Sequence, residues 1–268
     1  MTLRQPIRAV LFDLDGTIYE AGVPLPGAAE TVSSLRARGV QVGFVTNTTS
    51  RSRRLLTERL AACRIAARAE EISTALIAGA VHLKERGLRR LHALVPEAAY
   101  EDLAGFDLRH PEPEVVVVGD LDDRWDFAIL NTAFGHLMRG AELVALSRDR
   151  YWQEQGALVL DCGPFVAALE YASGKAASVC GKPSRAFYHA ALAGLGPWAL
   201  ERPGEVLMVG DDIWGDIKGA QEAGLQACLV RTGKYREGVV ALSGVSPDHV
   251  VDGVGDVPAL VPARSAPD

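Results

Sequence analysis

Apolar and polar positions along the chain follow two periods, one typical of buried strands and one of amphipathic helices. Short apolar runs predict buried parallel strands, and they lie at 8–12, 40–45, 178–181, 205–209 and 227–230. Segments with apolar residues on one face predict helices, and they lie at 26–39, 51–62, 184–195 and 214–223. Strands that alternate with helices predict an α/β fold with a doubly wound, Rossmann-like parallel sheet as its core.

The middle of the chain is too long for one crossover between neighbouring strands. Roughly 130 residues separate Asn47 from Lys182, whereas a strand–helix–strand unit needs about 30. This stretch has its own apolar runs at 91–95, 115–118 and 143–146 and its own helical segment at 125–138. We therefore expect an inserted α/β cap domain at 77–178, a catalytic core at 1–76 and 179–261, and a frayed C-terminal tail at 262–268.

Composition and charge narrow the class of protein. The 268 residues are 48% hydrophobic and carry a net charge of -6, which is the balance of an ordinary globular protein. An acidic chain is a poor main partner for nucleic acid, although a local site on it still suits a small phosphorylated substrate. The four cysteines form no metal-binding pair, and no apolar stretch suits a leader or a membrane span. We expect a cytoplasmic protein that binds neither nucleic acid nor membrane.

Two acids follow the first apolar strand directly. Asp13 and Asp15 are two residues apart, so on an extended segment their side chains face the same side, and Gly16 permits a sharp turn after them. Two carboxylates so close repel each other unless a cation lies between them or one is protonated. Magnesium, a hard cation that prefers oxygen ligands, resolves that conflict. A simple Asp-Gly turn after a strand explains the same residues without chemistry.

Two further strand ends offer groups that suit a phosphoryl oxygen. Thr46, Asn47 and Thr48 follow the second strand and supply hydroxyl and amide donors, although Thr and Asn are also common helix caps. Lys182 follows the strand at 178–181 and supplies a compact positive charge, although a Lys at such a position is often only a surface charge.

A fourth strand end carries three acids. Asp211, Asp212 and Asp216 follow the apolar strand at 205–209. Like charges in such a place cost stability unless they hold a cation or a Lys, although Asp212 or Asp216 could instead cap the next helix.

Together, four strands of one predicted sheet end in the groups that phosphoryl transfer requires. A magnesium-dependent phosphatase for a small phosphomonoester fits them best. A phosphotransferase or phosphomutase would use Asp13 in the same way but transfer the phosphoryl group to an acceptor other than water. A non-enzymatic phospho-acceptor signalling domain would need neither Asp15 nor a cap.

In their residues and their order along the chain, these motifs resemble the haloacid dehalogenase-like (HAD) hydrolase superfamily. They are Asp13-Leu14-Asp15-Gly16-Thr17, Thr46-Asn47, Lys182 and Gly210-Asp211-Asp212 with Asp216. The long insertion resembles the large α/β cap of subfamily IIA. Segments 44–48, 163–172 and 230–236 resemble the branch that contains phospholysine phosphohistidine inorganic pyrophosphate phosphatase and related hydrolase-domain-containing proteins.

The resemblance implies a role for each motif residue. Asp13 would be the nucleophile that forms an aspartyl-phosphate, and Asp15 the general acid and base. Phosphate-binding residues would be Thr46, Asn47, Thr48 and Lys182. Magnesium would be bound by Asp13, the Asp15 backbone carbonyl and Asp211, with Asp212 and Asp216 behind them. The resemblance alone favours a homodimer through the cap.

One residue departs from that branch, in which close relatives carry Ser at the position of Asp15. An acid at this position favours esters of alcohols, because an alkoxide leaves poorly without a proton whereas a phosphoramidate leaves readily.

Overall fold

A computed structural model describes residues 5–154 and 157–261, in which strands and helices alternate along most of the chain. Strands β1 to β14 are, in chain order, Ala9–Asp13, Tyr19–Glu20, Val23–Pro24, Gln41–Thr46, Ile72–Thr74, Leu91–Leu94, Val115–Val118, Glu142–Ala145, Tyr151–Glu154, Ala157–Leu160, Ser178–Val179, Val206–Gly210, Gln226–Val230 and His249–Val251. Helices α1 to α10 are Ala28–Ala37, Arg53–Ala62, Ala75–Glu85, Phe127–Met138, Gly163–Ser173, Arg185–Leu195, Pro197–Glu201, Gly219–Glu222, Glu237–Ser243 and Val257–Leu260.

The chain divides into two compact units. The first contains residues up to Thr46, Arg54–Ser73 and residues from Tyr188 onward, and the second contains Asn47–Arg53 and Thr74–Phe187. The core and cap boundaries expected from the sequence, at 77 and 178, stay a prediction. The expected frayed tail, 262–268, lies outside the described residues.

The first unit is built on a six-stranded sheet with the order β14-β13-β12-β1-β4-β5. Strand β1 pairs in parallel with β12 on one side and with β4 on the other. Because neighbouring parallel strands point the same way, β1, β4 and β12 all end at one edge of the sheet. The predicted α/β class, with a doubly wound parallel sheet and an inserted α/β domain, is confirmed.

Apolar side chains on both faces of β1 explain why this strand lies at the centre of the sheet. All five of its residues are buried. Phe12 packs near Phe44 of β4 with ring centroids 6.5 Å apart, in a cluster that also contains Leu35 of α1 and Leu56 of α2. Full burial of one such side chain contributes roughly 1.5–3 kcal/mol. The strand end that carries Asp13 is therefore anchored in the core of the first unit.

The second unit has a parallel sheet of its own, with the order β11-β8-β7-β6. Strand β11 pairs with β8 through Ser178 opposite Val144 and Val179 opposite Ala145. The prediction that the run at 178–181 belongs to the same sheet as the other motif strands is therefore wrong. Its two paired residues are too few for their pattern to specify a partner. The sequence also missed the two edge strands β5 and β14 of the first sheet.

The helix predicted at 214–223 differs from the one observed. Residues Ile213–Lys218 form a π-helical turn, and only Gly219–Glu222 is α-helical. Spacing of apolar residues does not distinguish these forms over so few turns. No helix within residues 5–154 and 157–261 is long and apolar enough to cross a membrane.

Two histidines pack together inside the second unit. The rings of His92 on β6 and His136 on α4 lie with centroids 4.8 Å apart, and the buried His92 Nε2 has no hydrogen-bond partner among the described residues. Burial, with a smaller contribution from His136, lowers the pKa of His92 to about 4. Burial and the nearby Arg139 also lower the pKa of His136. Both imidazoles are thus held in the neutral form.

We predict that acid destabilises the protein through His92. The unfolded chain binds a proton below about 6.5 and the folded chain only near 4, so the free energy of unfolding falls as pH drops through this window, by at most ~1.4 kcal/mol per pH unit. Urea denaturation at several pH values measures the slope. His92→Leu should reduce it, whereas His189→Gln, at an exposed position, should keep it. An unchanged slope in His92→Leu would contradict the assignment.

Candidate active site

The two acids at the end of β1 and just after it have different environments. Asp13, the last residue of the strand, is buried, whereas Asp15 is exposed. Asp15 lies in a tight turn that follows Asp13, in which the N–H groups of Thr17, Ile18 and Tyr19 all donate to the carbonyl of Leu14. Asp13 is therefore fixed at the buried end of the strand, and Asp15 is accessible to a proton donor or acceptor.

Three acids from two strand ends form a buried cluster. Asp13, Asp211 and Asp216 each place one carboxylate oxygen so that all three oxygens lie within 4.8 Å of one another. Pairing of Phe12 with Val209 across β1 and β12 explains the approach, because it brings the strand ends that carry Asp13 and Asp211 side by side. Asp13 and Asp211, which the sequence predicts at one site, thus lie close together within the first unit.

Asp216 reaches the cluster through the π-helical turn. Its Oδ2 accepts a hydrogen bond from the Asp212 backbone N–H at 3.0 Å. The hydroxyl of the buried Tyr188 contacts the backbone carbonyls of Gly215 and Asp216, at 2.7 and 3.1 Å. A π turn in place of an α turn changes the direction of the side chain, which is why such turns often occur at functional sites.

Asp212 lies beside the cluster and has a different environment. Its Oδ1 accepts hydrogen bonds from the N–H groups of Trp214 and Gly215, and its Oδ2 lies 3.1 Å from Lys234 Nζ. Burial by itself would raise the pKa of Asp212, but Lys234 and the two N–H groups outweigh it and lower the pKa below its usual range. Asp212 is thus an ionised cap of the π turn, as one of the sequence alternatives proposed.

The buried cluster fits a magnesium ion. In octahedral coordination with ligands near 2.1 Å, neighbouring oxygens are about 3 Å apart and opposite ones about 4.2 Å. Three carboxylate oxygens within 4.8 Å of one another are close enough for small side-chain adjustments to bring them onto one such ion, and a divalent cation would offset their mutual repulsion. Asp216, which the sequence places behind the ligands, thus offers a carboxylate oxygen within 4.8 Å of those of Asp13 and Asp211.

The remaining motif residues are divided between the units. Thr46 ends β4 in the first unit and is buried. In the second unit, Asn47 and Lys182 hold each other: Asn47 Oδ1 accepts from the Lys182 N–H at 2.7 Å, and Asn47 Nδ2 donates to the Lys182 carbonyl at 3.2 Å. Lys182 is buried, and Thr48 is half-buried. A buried Lys tied to an amide argues against a mere surface charge.

Sequence reasoning missed Thr232, Tyr188 and Lys234. All three contact the backbone or carboxylates around the acid cluster through hydrogen bonds that span more than 20 positions of sequence. The only signal for two of them was the resemblance of segment 230–236 to one branch of the family.

Comparisons with known proteins show which family the chain belongs to. A haloacid dehalogenase-like hydrolase family model matches residues 10–109, and a second HAD-hydrolase-like model matches residues 179–257. The chain is 41% identical over 236 residues, 88% of each chain, to haloacid dehalogenase-like hydrolase domain-containing protein 2 of Bos taurus. The chain belongs to the haloacid dehalogenase-like hydrolase family.

Two other relatives extend the comparison within this family. The chain is 35% identical to phospholysine phosphohistidine inorganic pyrophosphate phosphatase of Rattus norvegicus, over 95% of this chain and 94% of the relative. Among solved structures, p-nitrophenyl phosphatase from Archaeoglobus fulgidus superposes with a TM-score of 0.87 at 28% identity, over 96% of this chain and 100% of that one. The predicted enzyme class, a HAD-type hydrolase of phosphoric esters, is confirmed.

We predict that neutralising one acid of the cluster stabilises the metal-free protein. Asp211→Asn removes one of three clustered charges, and its amide oxygen can replace Asp211 Oδ2 as the acceptor for the Lys234 N–H. The free energy of unfolding in EDTA, measured by urea denaturation, should rise by about 1 kcal/mol. Magnesium should stabilise the native sequence more than the variant.

A matched control for this variant is Asp252→Asn. Asp252 is an exposed acid of the same unit, paired with Arg231, so its loss should leave the stability in EDTA within about 0.5 kcal/mol of the native value. An Asp211→Asn protein less stable than the native protein in EDTA would show that the three charges do not repel one another.

Proposed function

We propose that the chain is a magnesium-dependent phosphatase that hydrolyses a small phosphomonoester through an aspartyl-phosphate on Asp13. The observation that carries this proposal is the buried cluster of Asp13, Asp211 and Asp216, with the exposed Asp15 two residues after Asp13. A buried, fixed carboxylate suits attack on phosphorus, and an accessible acid suits proton transfer.

In the first step, one Asp13 oxygen attacks phosphorus and the bond to the leaving oxygen breaks. Asp15 donates its proton to that oxygen, which leaves as an alcohol. In the second step, Asp15 takes a proton from water as the water attacks phosphorus, the bond to Asp13 breaks, and inorganic phosphate forms. Bound magnesium would supply positive charge that offsets the charge of the phosphoryl oxygens.

Donor groups from the other motifs bind the phosphoryl oxygens in this proposal. Thr46 offers a hydroxyl at the end of β4, and Thr48 offers a second one. Lys182 supplies a positive charge, and its backbone bonds with Asn47 support it by fixing the chain on either side of the side chain. The proposed metal ligands are Asp13, the Asp15 backbone carbonyl and Asp211, and Asp216 is close enough to join them.

The substrate class follows from Asp15. Among relatives of this branch a Ser at this position suits leaving groups that need no proton, whereas Asp15 suits an alcohol. We therefore expect a small phosphorylated alcohol as substrate, in preference to a phosphohistidine or a phospholysine.

The expected assembly and location remain part of the proposal. Exposed apolar side chains on α4 and α5 of the second unit, Phe127, Met138 and Tyr171, support a homodimer through the cap. Four buried cysteines with free thiols support a reducing compartment, the cytoplasm. The net charge of -6 supports the absence of nucleic-acid and membrane partners.

We predict that phosphate release from p-nitrophenyl phosphate requires both magnesium and Asp13. Asp13→Asn removes the nucleophile and should lower kcat by roughly three orders of magnitude or more, measured as inorganic phosphate. EDTA should abolish release, and added magnesium should restore it. Asp252→Asn, which changes an exposed acid outside the cluster, should retain native kcat. Turnover that survives in EDTA or in Asp13→Asn would overturn the mechanism.

We predict that Asp15 matters more for poor leaving groups than for good ones. Asp15→Asn should slow an alkyl phosphate by about 10²–10⁴-fold, the usual contribution of a general acid, and slow p-nitrophenyl phosphate far less. Asp15→Ser, which restores the residue of the related branch, should show the same selectivity. Steady-state kcat/KM on both substrates measures the difference. Equal slowing of the two esters would remove Asp15 from the acid role.

A further inference from the structure

The loop that follows β13, residues 231–236, has no part in the proposed chemistry. Strand β13 pairs in parallel with β12, so this loop leaves the sheet at the same edge as the segment that carries Asp211. It contacts both strand ends that supply the acid cluster, through Thr232, Gly233 and Lys234.

Thr232 bonds to the turn that follows Asp13. Its hydroxyl donates to the backbone carbonyl of Gly16 at 2.5 Å. Gly16 adopts a φ of 85° and comes directly after Asp15. The carbonyl of Gly16 therefore has a fixed partner on another strand end, which restrains the turn that presents Asp13 and Asp15.

Lys234 bonds to the second acid of the cluster. Its backbone N–H donates to Asp211 Oδ2 at 2.6 Å, and its Nζ lies 3.1 Å from Asp212 Oδ2. A backbone donor fixes the rotation of the Asp211 carboxylate, because one oxygen is engaged and the orientation of the other is thereby set. The ammonium also compensates the charge of Asp212, which caps the π turn that leads to Asp216.

Gly233 lies where the three segments come together. A Cβ at this position would overlap the Asp211 carboxylate and lie 2.6 Å from the Cα of Gly16. The backbone there has a φ of 53°, a conformation that glycine adopts at little cost. Only a residue without a side chain allows the loop to approach both strand ends this closely.

We propose that Thr232, Gly233 and the Lys234 N–H are positioning groups that set the spacing between the Asp13 turn and Asp211 for a divalent cation. This inference rests on the proposed function, because it concerns the same acid cluster. It adds a third strand end to the site and assigns a role to a segment whose residues neither bind phosphate nor transfer protons.

The test compares two glycines with similar backbones. Gly233→Ala and Gly244→Ala both place a side chain at positive φ, 53° and 69°, but a Cβ at Gly244 would have no atom of the described residues within 4 Å. Titration calorimetry with magnesium alone measures cation affinity. Gly233→Ala should raise the magnesium Kd by about tenfold or more, whereas Gly244→Ala should leave it within about twofold. Equal Kd values for the two variants would overturn the proposal.

A second pair of variants tests the hydroxyl of Thr232 with little change in shape. Thr232→Val removes the donor and should raise the magnesium Kd by about three- to tenfold, the usual effect of one lost hydrogen bond. Thr232→Ser keeps the hydroxyl and should keep the native Kd. Thermal unfolding in EDTA shows that both variants are folded, with at most the modest loss of stability in Val that one missing hydrogen bond causes. A Val variant with native magnesium affinity would overturn the proposal.

Failure of the proposed function would look different. A native protein that binds no magnesium at all, or that turns over without it, would refute the cation site itself and the inference with it. A native protein that binds magnesium and is unaffected by Gly233→Ala and Thr232→Val would refute the positioning role alone.

Discussion

Mutual repulsion among three buried carboxylates is the constraint on which the rest of this structure depends. Parallel pairing of β1 with β12 brings Asp13 and Asp211 to one edge of the sheet, and the π turn adds Asp216. Such a cluster costs stability in the absence of a cation. The buried residues of β1 and the contacts of Tyr188 and Lys234 hold the acids together despite that cost, because they leave the acids little freedom to move apart.

The contrast between Asp13 and Asp15 gives the site two kinds of acid from one short segment. Asp13 is buried as the last residue of the central strand β1, and Asp15 is exposed in the tight turn that follows. A nucleophile benefits from a fixed direction, and a proton carrier benefits from access to both the leaving oxygen and water. The difference in burial therefore suits Asp13 to the role of nucleophile and Asp15 to that of proton carrier, although their side chains are chemically identical.

Local patterns predicted the four inner strands of the main sheet and its acids, because an apolar run followed by Asp is a signal contained in a few residues. Strand β11 was assigned to the wrong sheet, since two residues do not specify their partner. The π turn at Ile213–Lys218 was not predicted, since apolar spacing over six residues fits an α-helix as well. Thr232, Tyr188 and Lys234 could not be found, because their roles depend on contacts between segments far apart in sequence.

The central claim is that Asp13 carries the phosphoryl group during turnover. Rapid acid quenching of the protein with substrate and magnesium, followed by peptide mass spectrometry, tests it most directly. We predict one added phosphoryl group on the peptide that contains Asp13, located at that residue and absent in Asp13→Asn. A phosphoryl group on a different residue, or native turnover with none on Asp13 at any quench time, would contradict it.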